Sequence, residues 1–294
     1  MEMLATKRIR RCALKLLPGA LLLLSPLDAL AEQQNRLTAL VVDVTGVETE
    51  VGDLRTDGPS RGGGWGPHGF AVTVKKYGSQ RHGYADYERW FYFDQIETLT
   101  VQKPVAVGVK LRSGAQISGE VASSGSIRGQ WSQGTFELPW DKVKSITVKG
   151  KVERPVVRVT GVKGTVVLRD GATLAAHDLL RYRWVSSGYI NVSGSDSYSP
   201  DLWIKHQRGA GLVKTSMPFG KIDEIIFVEP APDYAGRQAV KLVLRDASVL
   251  SGTLGGDEPG EDFDGLAGQS ELGPFWIMGG YSLGHAIQSI KFSE

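Results

Sequence analysis

Five carboxylates crowd into eight residues at Asp257-Glu258-Pro259-Gly260-Glu261-Asp262-Phe263-Asp264. Closely spaced oxygen ligands are what a calcium ion takes outside the cytoplasm. Asp257, Glu261, Asp262 and Asp264 are therefore the candidate metal ligands, and Ca2+ is the one candidate cofactor. The spacing departs from the Asp-x-Asp-x-Asp-Gly loop of an EF-hand. Without a metal, the same run is a solvated acidic loop.

A second chemistry is aromatic. Trp65, Tyr77, Tyr84, Tyr87, Trp90, Phe91 and Tyr92 lie among Gly, His and Arg in one stretch; Tyr182, Trp184, Tyr189, Tyr198 and Trp203 lie in another. Exposed rings of this kind stack on sugars or anchor a protein partner. Trp90, Tyr92 and Trp203 sit in alternating, strand-like runs where core packing is the default. The ring candidates for a ligand or partner are thus Tyr84, Tyr87 and Tyr198, read as loop residues.

Catalytic signals in the sequence are sparse. The histidines 68, 82, 177, 206 and 285 are scattered, with no His-x-x-x-His pair to put two ligands on one helical face. His82, near Tyr84 and Asp86, has the most suggestive neighbours. The Gly-x-Ser-x-Gly spacing occurs at Gly58-Pro59-Ser60-Arg61-Gly62 and at Gly280-Tyr281-Ser282-Leu283-Gly284, but neither is followed by the helix-period stripe of a nucleophile elbow, and Gly62-Gly63-Gly64 lacks the Lys-Ser and helix of a phosphate loop. The expectation is a protein that is not an enzyme; a hydrolase whose residues meet only in the fold is the remaining catalytic alternative.

The amino terminus carries an address. Lys7, Arg8, Arg10, Arg11 and Lys15 precede an apolar core from Leu16 to Leu24, and Ala29-Leu30-Ala31 supplies the small residues that a signal peptidase needs. The core contains Pro18 and Gly19 and falls short of the roughly 20 apolar residues of a membrane span. Residues 1–31 read as a signal peptide, with Arg10-Arg11 in partial likeness to a twin-arginine signal. That segment holds five of the 34 basic and two of the 32 acidic residues, which leaves 29 against 30, so the basic balance gives no reason to expect a nucleic-acid partner. Cys12, the only cysteine, leaves with it, and the mature chain has no disulfide or thiol chemistry.

The elements that must position these groups are short strands. Val105, Val107, Val109 and Leu111 alternate with Ala106, Gly108 and Lys110; Ile117-Ser118-Gly119-Glu120-Val121 alternates after the turn at Arg112-Ser113-Gly114. Ile127, Gly129 and Trp131 follow on one face, then Phe136 and Leu138, with Ile146 and Val148 in a closing strand after Trp140-Asp141-Lys142. Gly119 marks a bend or a close backbone approach. Glycine, at 37 of 294 residues, is well above the usual share of about 7%. The class is all-β.

The unit recurs. Leu-Arg appears at Leu54-Arg55, Leu111-Arg112, Leu168-Arg169 and Leu244-Arg245, and the closing strand at Phe93–Leu99, Trp140–Ile146, Phe219–Ile225 and Gly284–Ile290. Ile117-Ser118-Gly119 matches Leu250-Ser251-Gly252, and Val44-Thr45-Gly46-Val47 matches Val159-Thr160-Gly161-Val162. The expectation is an A-B-A-B duplication of small antiparallel barrel or sandwich modules: A1 over 37–103, B1 over 104–150, A2 over 155–230 and B2 over 237–294. The turn and strand at Leu111–Gly119 resemble the first motif of Sm-like barrels, and the closing turn and strand are similar to those of SH3-like barrels. The resemblance implies a fold and no function.

The A modules differ from the B modules by bulky additions at 59–92 and 178–210, and specificity is expected to follow them. The leading expectation is an exported, non-catalytic envelope or secreted protein that binds or scaffolds another envelope or secreted protein. The alternative is a carbohydrate-binding protein that grips polysaccharide with the A-module aromatics. Membrane association is expected to be peripheral if it occurs at all, and the destination is the periplasm or the medium. The exported chain should begin at Glu32, and intact-mass analysis that finds residues 1–31 retained would reject this.

Overall fold

A computed structural model of the chain describes residues 37–56, 68–79, 83–102, 105–122, 125–152, 160–183, 197–228, 238–255, 263–279 and 282–293. The protein is all-β. The described strands join into one 21-stranded sheet in which every pairing is antiparallel. In chain order they are β1 (Thr38–Asp43), β2 (Glu48–Thr56), β3 (Gly69–Ser79), β4 (Gly83–Tyr92), β5 (Ile96–Val101), β6 (Ala106–Leu111), β7 (Gln116–Val121), β8 (Ser126–Trp131), β9 (Gly134–Pro139) and β10 (Val143–Lys149). There follow β11 (Lys163–Leu168), β12 (Thr173–Arg183), β13 (Ser197–Ser199), β14 (Asp201–Arg208), β15 (Gly211–Pro218), β16 (Ile222–Phe227), β17 (Ala239–Leu244), β18 (Val249–Leu254), β19 (Gly265–Ser270), β20 (Gly273–Met278) and β21 (Ile287–Ser293).

Single helical turns precede four of these strands. Phe93–Gln95 leads into β5, Trp140–Lys142 into β10 and Phe219–Lys221 into β16; the short helix α1 (Leu283–Ala286) leads into β21. Each turn buries its first side chain, Phe93, Trp140, Phe219 or Leu283.

Alternation fixes which side chains go inside. Val107, Val109 and Leu111 are buried, as are Ile127, Ile146 and Val148. Two expected inward residues differ: Val105 is 51% exposed and Trp131 37% exposed. Val105 falls just before β6 begins, and Trp131 stands at the turn end of the β8–β9 hairpin opposite Gly134.

Strand partners do not follow chain order. The expectation that Val105 to Val148 curls up on itself is corrected by the pairings. Its first hairpin, β6–β7, takes β5 and β3 as outer neighbours, while β8 pairs with β2, and β10 lies between β1 and β5. The hairpin β1–β2 is thus completed by β8, β9 and β10, and β6–β7 by β3, β4 and β5. Later in the chain β11 pairs with β12 and β21, β12 with β19, β14 with β18, and β16 with β17 and β21. This is the same exchange.

The centre of each exchange is one row of side chains. Val41 pairs with Ile146, Ile146 with Leu99, and Leu99 with Val109. Val166, Ile290, Ile225 and Leu242 form the corresponding row. All eight are at most 1% exposed.

Every first strand is also latched to a helical turn. The residue that follows it gives its backbone N–H to the last carbonyl of a turn from the exchanging set: Val44 to Lys142 (3.0 Å), Arg112 to Gln95 (2.9 Å), Arg169 to Ala286 (2.9 Å) and Arg245 to Lys221 (3.1 Å). Three of these residues are the arginines of the recurring Leu-Arg pair, and their guanidinium groups reach further carbonyls. Arg112 Nη2 donates to Val148 (2.8 Å), Arg169 Nε to Gly284 (2.8 Å) and Arg245 Nε to Gly220 (2.9 Å). The fourth sequence match is corrected: Leu54-Arg55 lies within β2, and the end of the first strand is Asp43, whose Oδ1 accepts from the backbone N–H of Thr45 and Val47.

Gly119 is a close approach. A Cβ there would stand 2.5 Å from the Thr73 carbonyl oxygen, where β7 passes β3, and one at Gly252 would stand 2.1 Å from the Lys205 oxygen, where β18 passes β14.

Ile146 and Ile290 occupy matching, fully buried places, whereas Ile117 and Leu250 are only half-buried. Ile146→Ala and Ile290→Ala should each destabilise the fold by about 2 to 5 kcal/mol. Thermal melts matching the parent's would show that the two rows are not the centre of the core.

Candidate functional site: the seam between β4 and β20

Tyr84 and Tyr87, expected in a loop, and Trp90 and Tyr92, expected in a strand, all lie on the long hairpin β3–β4, 11 and 10 residues in its two strands. Its base supplies Phe70, Val72 and Phe91 to the core of residues 37–152, and its far end supplies Tyr77, Ala85 and Tyr87 to the core of the later strands. Between these, β4 pairs with β20: Arg89 with Phe275, Glu88 with Trp276, Tyr87 with Ile277 and Asp86 with Met278. This pairing is the seam that makes β12, β19, β20, β4 and β3 consecutive in one sheet.

Both faces of the seam are buried. On one, Tyr87, Phe275, Ile277 and Leu266 belong to the core, with the Tyr87 and Phe275 rings edge-on at 6.4 Å. On the other, Ala71, Trp90, Tyr92, Tyr182, Ala267, Trp276 and Met278 form a separate cluster, with the Trp90 and Tyr92 rings edge-on at 6.4 Å. Glu88, 1% exposed, shares this second face and accepts from Thr73 Oγ1 at 3.4 Å. Trp90 Nε1, Asp86 Oδ1 and Gln269 Nε2 are buried and find no hydrogen-bond partner among the described residues.

Charged groups brace the seam and the hairpin beside it. Arg89 Nη1 donates to Ser270 Oγ (2.9 Å), and its guanidinium lies 5.4 Å from the centre of the Tyr87 ring. Lys75 pairs with Asp170 at the β11–β12 turn, and Tyr77 Oη donates to the same carboxylate at 3.2 Å. The Lys75 hydrogen bond, helped by the Ala172 backbone N–H, holds Asp170 below the usual carboxylate range. Burial first, and then the charge of Asp170, pushes the Tyr77 phenol up; burial also raises Tyr87 against the opposing charge of Arg89.

These shifts all move away from neutrality. Burial raises Asp178, but hydrogen bonds from His177, Gly161 and Thr160 outweigh it and the net shift is downward. Asp43, Glu137 and Asp246 are lowered as well. General acid–base catalysis works best with a group tuned toward the operating pH. The shifted carboxylates stay ionised and the shifted phenols stay neutral, so they act here as acceptors, donors and packing.

The sequence-based candidates are spread apart. Tyr87 is on β4 and 5% exposed, so its ring offers no stacking face. Tyr84 is also on β4 and Tyr198 on β13, both strands where loops were expected; their side chains lie outside the described residues. His82, Asp257, Glu261 and Asp262 lie outside them too. Asp264 is half-buried, its N–H bonded to the Tyr182 carbonyl (3.1 Å) and its own carbonyl to the Gly279 N–H (3.0 Å). Among the described residues no three His, Cys, Asp or Glu side chains cluster as a metal site would require.

Other residues gain roles that their types alone did not announce. Asp178 takes a left-handed backbone (φ 53°), accepts from the N–H of Thr160 (2.9 Å) and Gly161 (3.0 Å), and pairs through Oδ2 with His177 Nδ1 at 2.7 Å. Asp53, at the corresponding register break in β2, has the same φ. Gln238, 3% exposed, ties the Val228 carbonyl (2.7 Å) to the Gly284 N–H (2.8 Å).

Comparison with protein-family models, curated proteins and solved structures finds no match.

Asp170→Ala should lower stability near neutral pH by roughly 1 kcal/mol, the scale of a half-exposed, charge-assisted hydrogen bond. Because the folded carboxyl titrates below its unfolded value, that contribution is complete above about pH 4 and fades as pH falls through the folded value. Melts of parent and variant should therefore converge in acid. A gap that stays constant down to pH 2 would show that the Lys75–Asp170–Tyr77 contact is not its source.

Proposed function

We propose that the protein is exported and works without catalysis, as a binding or scaffolding element for another protein of the cell envelope or the medium. In this reading it is built from four SH3-like or Sm-like β modules in an A-B-A-B duplication, preceded by a cleaved signal peptide. The recurring latch between first strand and helical turn supports the modules. The signal rests on the tripartite amino terminus.

The observation that carries the functional reading is where the chain places its aromatic and charged groups. Trp90, Tyr92, Trp276, Lys75, Asp170 and Arg89 all act at the seam, joining two sets of exchanged strands into one frame. One continuous antiparallel sheet suits presentation of a surface more than enclosure of a substrate. Of the two bulky additions, residues 69–79 and 83–92 of the first join that frame, and 178–183, 197–199 and 201–208 of the second are strand as well. Specificity is assigned to the remainder of the second addition.

Carbohydrate binding is the second reading, and Trp203 favours it. Its half-exposed ring on β14 lies 5.1 Å from Lys214 Nζ, an aromatic surface with a polar neighbour. Shortening the chain between Ser187 and Pro200 tests both readings. The shortened protein should keep its far-ultraviolet β spectrum and lose capture of a protein partner from an envelope extract. Retention of the partner would move the binding surface elsewhere, and selective loss of polysaccharide binding would put the carbohydrate reading first.

A further inference from the structure

The seam has an unpaired counterpart. Counting back from the buried phenylalanine of the following helical turn, Phe93 or Phe219, Arg89, Glu88, Tyr87 and Asp86 of β4 correspond to Thr215, Lys214, Val213 and Leu212 of β15. Counting on from the left-handed glycine that opens the strand, Gly273 (φ 105°) or Gly134 (φ 126°), Phe275, Trp276, Ile277 and Met278 of β20 correspond to Phe136, Glu137, Leu138 and Pro139 of β9. The hairpin register agrees: Gly268 faces Phe275, and Gly129 faces Phe136. So β4 and β20 pair with each other, while their equivalents β15 and β9 pair, among the described residues, only with β14 and β8.

We propose that β9 of one copy of this chain pairs with β15 of another, repeating between molecules the seam that β20 and β4 make within one. Transferring the register sets Phe136 opposite Thr215, Glu137 opposite Lys214, Leu138 opposite Val213 and Pro139 opposite Leu212. The sequence suits that alignment. An acid meets a base at the second position, and apolar side chains meet at the third. At the fourth, Leu212, 66% exposed in the single chain, packs on proline. Opposite charges directly across a ladder stabilise a pair and like charges destabilise it. Two copies of β9 matched about residue 137 would set Glu137 against Glu137, and two copies of β15 about residue 214 would set Lys214 against Lys214. The charges therefore select the mixed pair.

The edges also meet the physical requirement. A strand paired on one side presents a row of unpaired N–H and C=O groups, a template for another strand. Pro139 lacks an N–H, but it stands at the last position of β9, beside a helical turn, where the ladder ends. Glu137 now pairs with Arg128 (3.1 Å) across β8–β9, an exposed contact that leaves its carboxylate open to a second cation. Because the two edges differ, the contact is head-to-tail, and each added copy again offers one β9 and one β15.

Sedimentation velocity of the purified protein over a concentration series tests this. The parent should show species heavier than the monomer that grow with concentration. Glu137→Lys alone and Lys214→Glu alone should each lose them, while the double variant and an equimolar mixture of the two single variants should regain them. Glu97→Lys, an exposed reversal on β5, should change nothing. Far-ultraviolet spectra confirm that each variant is folded; if one is not, the other single variant probes the same contact from the opposite edge. A parent that stays monomeric throughout, association untouched by both reversals, or a double variant that fails to regain it would each overturn the proposal.

Discussion

The structure depends on two closing strands lying side by side. Ile146 on β10 is flanked by Val41 and Leu99, and Leu99 on β5 by Ile146 and Val109, so the two strands that end successive sets share one buried row. Placing β5 and β10 together leaves each with one free edge, and each takes the first strand of the other set. The exchange of β8 onto β2 and of β3 onto β7 follows, because the third strand must then cross to reach a hairpin that its own set has given away. The later strands repeat the solution around Ile225 and Ile290.

The latches serve the same arrangement. A helical turn ends in carbonyls with no partner of their own, and the residue after each first strand arrives there from the exchanging set. Where that residue is arginine, its guanidinium fork satisfies further carbonyls at Val148, Gly284 or Gly220. This explains why Leu-Arg is a recurring pair. The leucine ends the buried face of the strand, and the arginine binds across the junction.

Much of the local structure was legible in the sequence, because period-two alternation reports which face of a strand is buried. The closing strands, the turns and the buried Ile146 and Ile290 were all readable on that basis. Partner choice was not, since alternation gives a face and never names the neighbour. Leu54-Arg55 imitated the strand-ending pair at the wrong strand, while the true equivalent, Asp43, carries no apolar signal. Tyr84 and Tyr87 read as loop residues for a different reason. Both faces of β4 are covered, with Tyr87 in one cluster and Trp90 in the other, so no clean alternation marks this part of the strand. Its place in the seam needed β20, nearly two hundred residues away in the chain, to become visible.

The exchange also governs when the chain can fold. β1 and β2 emerge first during synthesis, but Thr38 cannot meet Lys149, nor Val41 meet Ile146, until the whole of β10 exists. The first hairpin lacks two of its neighbours for that interval, and β3–β4 lacks β20 until Met278 has been made. Long-range pairings of this kind close slowly, because the entropy of the intervening loop is lost before the contacts form. A nascent chain so wired stays open for longer than one built of self-closing units. That delay keeps it threadable, and it exposes bare strand edges to any neighbouring chain in the meantime.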